Sequence, residues 1–408
     1  MKCRLVILFV LATLFISATV DWGFFGHKRI NRLACFTLPS DMFGFYKRNI
    51  DYITLHAVDP DKRRYASKFE AVRHYIDLDN WGTAPFEKVP RSWLEAQMYN
   101  TNIMRITKNG DTLSWLKHEQ IPFDMKEPAT EFVFEKNNIN IKEYRDFFRS
   151  AVLHTYYDDD RDIDRIKLKQ FFGRYGINIK SGRYIAVENF SEHGILPYHL
   201  VQMQNRLKKA FETENSTQIL RLSAEMGHYV GDAHVPLHTT KNYNGQLTDQ
   251  RGIHGFWESR IPELFADKEY DYFVGKAEYI EKKQDYFWDI VLTSNSLVDS
   301  VLLIEKELSR TFPKDQQYCY TDRSNILTRT YCEEYARAYS DRMQGMVEKR
   351  FRDAILSIGS VWYTAWVDAG QPDMSSIDFT EKEKLAKEKE ELDRAFRTEQ
   401  IKGRKHTE

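Results

Sequence analysis

Apolar residues recur every three or four positions over most of this chain, which is the spacing of one face of an α-helix. The clearest case lies before Pro236, where the pattern extends from Ile219 to Val230. A first helix is predicted near Phe24 to Ala34. Further helical patterns cover residues 142–155, 162–174, 285–312, 325–368 and 381–398. The sequence therefore predicts a mainly α fold, and we expect a single multi-helical domain.

The N-terminal 20 residues have the pattern of a secretory signal peptide. Lys2 and Arg4 precede an apolar run from Leu5 to Ile16, which is shorter than a membrane span requires. A retained anchor helix is the alternative interpretation. With cleavage after Ala18, we expect an exported protein, periplasmic or secreted, with no transmembrane segment after the signal is removed.

The remaining chain is expected to contain one domain over residues 21–375 and a charged tail over residues 376–408. Residues 80–190 are harder to interpret as a whole, and a resemblance given below implies that they are a long insertion of unknown role. In the tail, Glu383 with Lys387 and Glu390 with Arg394 form i,i+4 pairs, which predict an exposed terminal helix. The acidic run Asp158–Asp164 is interpreted as a solvated turn, because it lacks the glycine and glutamate of a calcium-binding loop.

Composition adds two constraints. The 59 lysines and arginines balance 60 aspartates and glutamates, so no overall attraction to nucleic acid is expected, although the sequence also allows a local basic groove.

Cys319 and Cys332 are close enough in sequence to form a disulfide in an oxidising compartment, whereas Cys35 lies among apolar residues and is predicted to be a buried free thiol.

The candidate chemistry lies in the stretch EMGHYVGDAHVPLH. His228 and Asp232 are four residues apart and therefore share one face of the predicted helix. Burying such a pair is costly unless a partner compensates it, so the face is either a polar network in a helical core or one wall of a metal site. His238 follows, and then a second pair, His254 and Glu258, again four apart. Nitrogen and carboxylate ligands at this density favour a zinc site.

Nine positions in this order resemble a known superfamily, the trinuclear zinc phosphodiesterases. That superfamily joins bacterial phospholipase C to the fungal and plant single-strand-specific nucleases. The string GHYVGDAHVPLH is similar to its central signature. The nine positions are Trp22, His27, Asp59, His74, His228, Asp232, His238, His254 and Glu258.

The resemblance implies three zinc ions. Their ligand sets would be Asp59, His74, His228 and Asp232; His238, His254 and Glu258; and His27 and Asp232 together with the amino nitrogen and carbonyl oxygen of Trp22. Trp22 can donate its amine only as the first residue of the mature chain. Cleavage after Ala18 would therefore leave the third zinc weakly held, absent, or completed by Asp21.

The resemblance also implies an activity. Zinc lowers the pKa of bound water to about 7, which supplies a nucleophile for phosphodiester hydrolysis at neutral pH. Asp59 and Asp232 would be the catalytic carboxylates, with Asp232 bridging two metals. The expected substrate is single-stranded DNA or RNA, or a phospholipid head group. His234 has no counterpart among the ligands and is predicted to support or pack against the site. The alternative function is a non-catalytic helical binding protein with a structural zinc cluster.

Overall fold

A computed structural model describes residues 23–153, 161–323, 326–377 and 382–402 of the chain. The predicted signal peptide, Trp22 and the first part of the acidic run lie outside the described residues. The prediction of a mainly α fold is confirmed, since helices predominate and the strands form only small sheets.

The elements are numbered here in chain order. The helices are α1 Gly23–Ala34, α2 Ser40–Arg48, α3 Ile50–Leu55, α4 Asp59–Ala66, α5 Trp93–Met98, α6 Ile141–Ala151, α7 Arg165–Gly173, α8 Leu196–Glu212, α9 Ser216–Ala233, α10 Ile253–Gly255, α11 Ile261–Glu269, α12 Lys283–Asn295, α13 Val298–Thr311, α14 Glu333–Arg342, α15 Met346–Asp368 and α16 Lys382–Thr398. The strands are β1 Thr101–Ile106, β2 Thr112–Leu116, β3 Glu131–Phe134, β4 Asn137–Asn140, β5 Arg161–Asp162, β6 Arg183–Glu188, β7 Tyr318–Arg323 and β8 Ile326–Tyr331.

The chain separates into two compact units. The first comprises Met1–His74 and His199–Glu408, and the second comprises Tyr75–Tyr198. The second unit therefore contains the whole predicted insertion, 80–190, with wider bounds. It is a unit because it has a hydrophobic core of its own, whose buried residues all lie between Met98 and Ala186.

The second unit is built on an antiparallel four-stranded sheet in the order β2-β1-β6-β5, accompanied by a β3-β4 hairpin. Aromatic side chains fill its core, and the rings of Phe147 on α6 and Phe171 on α7 stack with centroids 4.6 Å apart. Asn140 begins α6 by accepting a hydrogen bond from the backbone N–H of Glu143 at 3.1 Å.

The first unit is organised around α9, which is buried over nearly its whole length. Asn215 caps its start by accepting from the backbone N–H of Gln218 at 3.0 Å. Helices α1, α12 and α15 pack against it. Trp362 of α15 is fully buried and donates from its indole nitrogen to the carbonyl of Ser223 at 3.0 Å, so a large aromatic side chain fixes α15 to α9.

The segment Lys283–Thr311 is long and apolar enough to cross a membrane by length and composition. It is, however, divided between α12 and α13, and both helices have one face in the core of the first unit. The buried side chains include Phe287, Trp288, Val291 and Val301. This is the pattern of paired core helices.

Two expectations about the C-terminal part of the chain are wrong. The helix predicted over 325–368 begins as strand β8, because β-branched and aromatic residues there pair with β7. The tail does form a helix, α16, but one face of it is half-buried instead of exposed. The reason is Phe396, whose ring contacts Phe24 and Tyr65 in the folded protein.

The cysteines are arranged as the sequence allowed. Cys319 and Cys332 form a disulfide across the β7–β8 hairpin, and Cys35 is a buried free thiol. Burial raises the pKa of the Cys35 thiol to about 12, so it is uncharged at neutral pH.

We expect replacement of both Cys319 and Cys332 by serine to lower the free energy of unfolding by roughly 3 kcal/mol, the entropy of closing a loop of this length. Denaturant unfolding of the wild-type and double-variant proteins would measure this difference. Reductant should lower the wild-type midpoint and leave the double variant unchanged. Identical midpoints for all four samples would contradict the prediction.

Candidate metal centre

Eight ionisable side chains meet at one place in the first unit, although they come from seven short segments of the chain. They are His27 on α1, Asp61 on α4, His74 after the Ala71–Arg73 turn, His228 and Asp232 on α9, His238 in the Pro236–Thr239 turn, His254 on α10 and Glu258 in the π-helical turn Phe256–Arg260. The π turn directly follows α10, and such turns are frequent at functional sites.

Two glycines of α9 allow α1 to approach this closely. A Cβ atom at Gly231 would lie 2.7 Å from Cδ1 of Ile30 and 3.0 Å from Nδ1 of His27, and one at Gly227 would collide with Asn31. The two glycines are four residues apart and therefore lie on one face of α9. Because α1 comes so near, the ring of His27 stacks on that of His228 with centroids 3.9 Å apart.

The side chains form four overlapping groups, and within each group the candidate ligand atoms all lie within 4.8 Å of one another. These groups could hold a metal ion. They are His27, Asp61 and His228; His74, His228 and Asp232; His238, His254 and Glu258; and His27, Asp232 and Glu258.

Asp232 is the cluster carboxylate that lies near the largest number of histidines. Its Oδ2 lies 2.9 Å from Nδ1 of His74 and 3.3 Å from Nε2 of His228. Its Oδ1 lies 3.4 Å from Nε2 of His27 and 3.8 Å from Nε2 of His238. The two oxygens thus face different sets of imidazoles, which is the arrangement that a carboxylate bridging two metal ions requires.

Three of the histidines are oriented by backbone carbonyls. Nδ1 of His228 donates to the carbonyl of Ala57 at 2.8 Å, Nδ1 of His238 to that of His74 at 2.5 Å, and Nδ1 of His254 to that of Tyr243 at 3.1 Å. A proton on Nδ1 leaves a lone pair on Nε2, and each Nε2 faces the cluster. Histidines that bind metals are usually held in this way.

His74 has the opposite orientation. Its Nδ1 faces the cluster and lies 3.1 Å from Nε2 of His228, while its Nε2 lies 3.7 Å from Glu70. Glu70 is fully buried and accepts hydrogen bonds from Nε of Arg63 at 3.0 Å and Nη1 of Arg73 at 2.6 Å. Glu70 was not singled out from the sequence, although its position four residues before His74 was a signal that could have found it.

The surrounding imidazoles favour the ionised forms of Asp232 and Glu258. Burial would raise the pKa of Asp232, but the charges of His228 and His238 outweigh it and hold that pKa well below its usual value. The pKa of Glu258 is also lowered well below its usual value, because hydrogen bonds from His238 and His254 outweigh burial. Conversely, although burial would lower them, the pKa values of His74 and His238 are raised, chiefly by Asp232.

The resemblance implies that Asp59 is a metal ligand, but in the structure the aspartate that faces the cluster is Asp61. Asp59 lies 2.5 Å from Nδ1 of His56, whereas Asp61 lies 3.8 Å from both Nδ1 of His74 and Nε2 of His228. The two aspartates are two residues apart at the start of α4 and therefore point in nearly opposite directions. Only one of them can face the cluster, and in this structure it is Asp61.

The other predicted positions have separate outcomes. The structure brings His27, His74, His228, Asp232, His238, His254 and Glu258 together in one cluster. Trp22 lies outside the described residues. Nδ1 of His234 donates to the carbonyl of Val230 at 2.7 Å, and its Nε2 lies 3.3 Å from Oγ of Ser357, so this side chain is held by core contacts.

No protein-family model matches this chain, and a comparison with curated proteins finds no similar sequence. The interpretation of the site therefore depends on its donor set and geometry.

Asp61→Asn and Asp59→Asn form a matched pair that tests which aspartate belongs to the centre. We expect Asp61→Asn to retain fewer zinc ions per chain than the wild type, because it removes a carboxylate from the group with His27 and His228. We expect Asp59→Asn to retain the wild-type number. Elemental mass spectrometry after zinc loading and desalting would measure both. The reverse pattern would assign the role to Asp59, as the resemblance implies.

Zinc affinity is expected to increase with pH between about pH 6 and pH 8, the range in which imidazole titrates. The pKa values of His74 and His238 are raised, so protons compete with zinc for these imidazoles, and this competition weakens as the pH rises. Zinc binding should then release as many as about two protons. Calorimetric titrations in buffers of different ionisation enthalpy would count them. A binding enthalpy that does not depend on the buffer would contradict this expectation.

Proposed function

We propose that this chain is an exported, zinc-dependent hydrolase of phosphodiester bonds, acting on single-stranded nucleic acid or on a phospholipid head group. The observation that carries the proposal is one cluster in which three carboxylates face five imidazoles. The order of its residues along the chain supports it, because it resembles the trinuclear zinc phosphodiesterases.

The donor set supports zinc over calcium and magnesium. Every group combines imidazole nitrogen with carboxylate oxygen, a combination that zinc accepts. Calcium and magnesium prefer sites made of oxygen ligands alone. His74, His228 and Asp232 would hold one zinc ion, and His238, His254 and Glu258 a second. The overlap of the groups at His27, Asp232 and Glu258 supports a further ion.

Bound zinc would supply Lewis acidity toward the phosphate and a water molecule of lowered pKa. The side chains would position the reaction. Asp232 is nearly inaccessible to solvent and would hold the histidines on both of its sides. Asp61 is the most accessible carboxylate of the cluster, with 23% of its side chain exposed, compared with 14% for Glu258. We therefore infer that Asp61 would bound the substrate side of the cluster while completing the group with His27 and His228.

Export is supported by two independent features. The first is the signal-like pattern of residues 1–20. The second is the Cys319–Cys332 disulfide, since disulfides persist in oxidising compartments outside the cytosol.

We expect Asp232→Asn and His238→Ala each to abolish phosphodiester hydrolysis, because each removes a group that faces several others in the cluster. Asp289→Asn, an exposed change of the same chemistry on α12, is the matched control and should retain activity. Turnover of single-stranded DNA and of phosphatidylcholine by one preparation would measure the effect and distinguish the two substrates. Wild-type rates in the cluster variants would overturn the proposal.

A preparation that binds zinc and hydrolyses neither substrate would favour the alternative of a non-catalytic binding protein. Determination of the N-terminal residue in the same sample is part of the experiment. A chain that begins at Trp22 would offer a free amine to the centre, whereas one that begins at Thr19 would not.

A further inference from the structure

The C-terminal helix α16 is amphipathic, and its inner face lies on the helices that carry the metal centre. Glu388, Asp393 and Phe396 are partly buried, whereas Glu390 and Arg394 are exposed. This alternation has the period of a helix with one packed face. The sequence suggested only a solvated tail, so these contacts require an explanation.

The main contacts are with α4, the helix that carries Asp61. Nζ of Lys62 lies 2.5 Å from Oδ1 of Asp393, and the ring of Tyr65 meets that of Phe396 edge-on at 5.0 Å. After α16 ends, the backbone N–H of Lys402 donates to the carbonyl of Arg64 at 2.9 Å. Lys62 and Arg64 are buried, and burial of Lys62 would be costly without the carboxylate that α16 supplies.

The same helix also contacts α1 and α9, which supply further ligands. The ring of Phe396 lies 5.9 Å from that of Phe24, which is one turn before His27 on α1. Glu388 lies 3.0 Å from Nη1 of Arg221 on α9. Phe396 is therefore placed between α1 and α4, whose ligands His27 and Asp61 belong to one group with His228.

Helix α4 is short and mostly polar. It is only eight residues long, and its sequence DPDKRRYA offers few apolar side chains to the core. Inside the unit, Arg63 contacts Glu70 at 3.0 Å and Glu225 at 2.8 Å. A cavity of about 320 Å³ lies between α16 and this region, lined by His56, Asp59, Arg221 and Glu391 among others. The contacts of α16 with Lys62, Arg64 and Tyr65 are therefore a substantial part of what fixes the position of α4.

We propose that α16 is a positioning element of the metal centre: by packing across α1 and α4 it holds Asp61 within reach of His27 and His228. This inference rests on the proposed zinc centre. Phe396 is the principal positioning residue and Asp393 is the second. Neither residue contacts a ligand atom, so each acts through the helix that carries one.

The test is the rate at which zinc leaves the protein into excess chromophoric chelator. Phe396→Ala should accelerate release of part of the bound zinc by roughly tenfold, since it removes the aromatic contacts that link α16 to α1 and α4. Asp393→Asn should accelerate release by a smaller factor, and Phe396→Leu should restore slow release in part. Glu390→Gln and Arg394→Ala, on the exposed face of the same helix, should behave as the wild type.

A second comparison separates positioning from a general loss of stability. Phe396→Ala should have no further effect on zinc release when Asp61 is already asparagine, because the ligand that α16 positions is then absent. The same acceleration in the Asp61→Asn protein would overturn the proposal, and so would wild-type release from Phe396→Ala. Wild-type protein that binds no zinc would overturn the zinc centre itself. Protein that binds zinc but hydrolyses no phosphodiester would overturn only the proposed function.

Discussion

The rest of this structure depends on the mutual compensation of buried imidazoles and carboxylates. Asp232 is almost inaccessible to solvent, and an isolated carboxylate there would be prohibitively costly. Its two oxygens instead face four histidines that come from four different segments of the chain. Each of those histidines lies on a segment whose position must be fixed for the contact to exist. The packing of α1 on α9 through Gly227 and Gly231, and the backbone carbonyls that orient His228 and His238, therefore serve one electrostatic requirement.

Acidic and basic side chains alternate along a series of contacts that leads outward from the cluster. Behind His74 lies Glu70, and Glu70 is paired with Arg63 and Arg73. Arg63 in turn contacts Glu225. Arg221, four residues before Glu225, contacts both Glu225 and Glu388 of the C-terminal helix. Each buried charge is thus next to one of opposite sign, so removal of one member leaves another uncompensated. This chain of contacts gives a physical route by which a surface helix can affect buried ligands.

The sequence predicted the parts that depend on local spacing. The apolar period of α9 and the four-residue intervals in His228–Asp232 and His254–Glu258 hold in the structure, because helix geometry is set by neighbours in sequence. The resemblance implied Asp59, whereas Asp61 faces the cluster, and the difference depends on how α4 is rotated against α9. The sequence also missed the contact of Phe396 with Phe24, which joins residues more than 300 positions apart. The two-unit division escaped prediction for a similar reason, because a separate core is a property of long-range packing.

The sequence left open whether these residues form a polar network or a metal site, and the imidazole protons are what differ between the two. Nδ1 of His228 donates to Ala57, and its Nε2 lies 3.1 Å from Nδ1 of His74. A proton on Nδ1 of His74 satisfies this pair without a metal ion. Protons on Nε2 of His27, His238 and His254 would likewise pair these rings with the carboxylates that they face. A metal ion would replace those protons, because a ligand nitrogen must offer its lone pair. The same side chains can therefore form a charge-paired network without metal and a set of ligands with it, which is why metal binding and proton release are coupled at such a site.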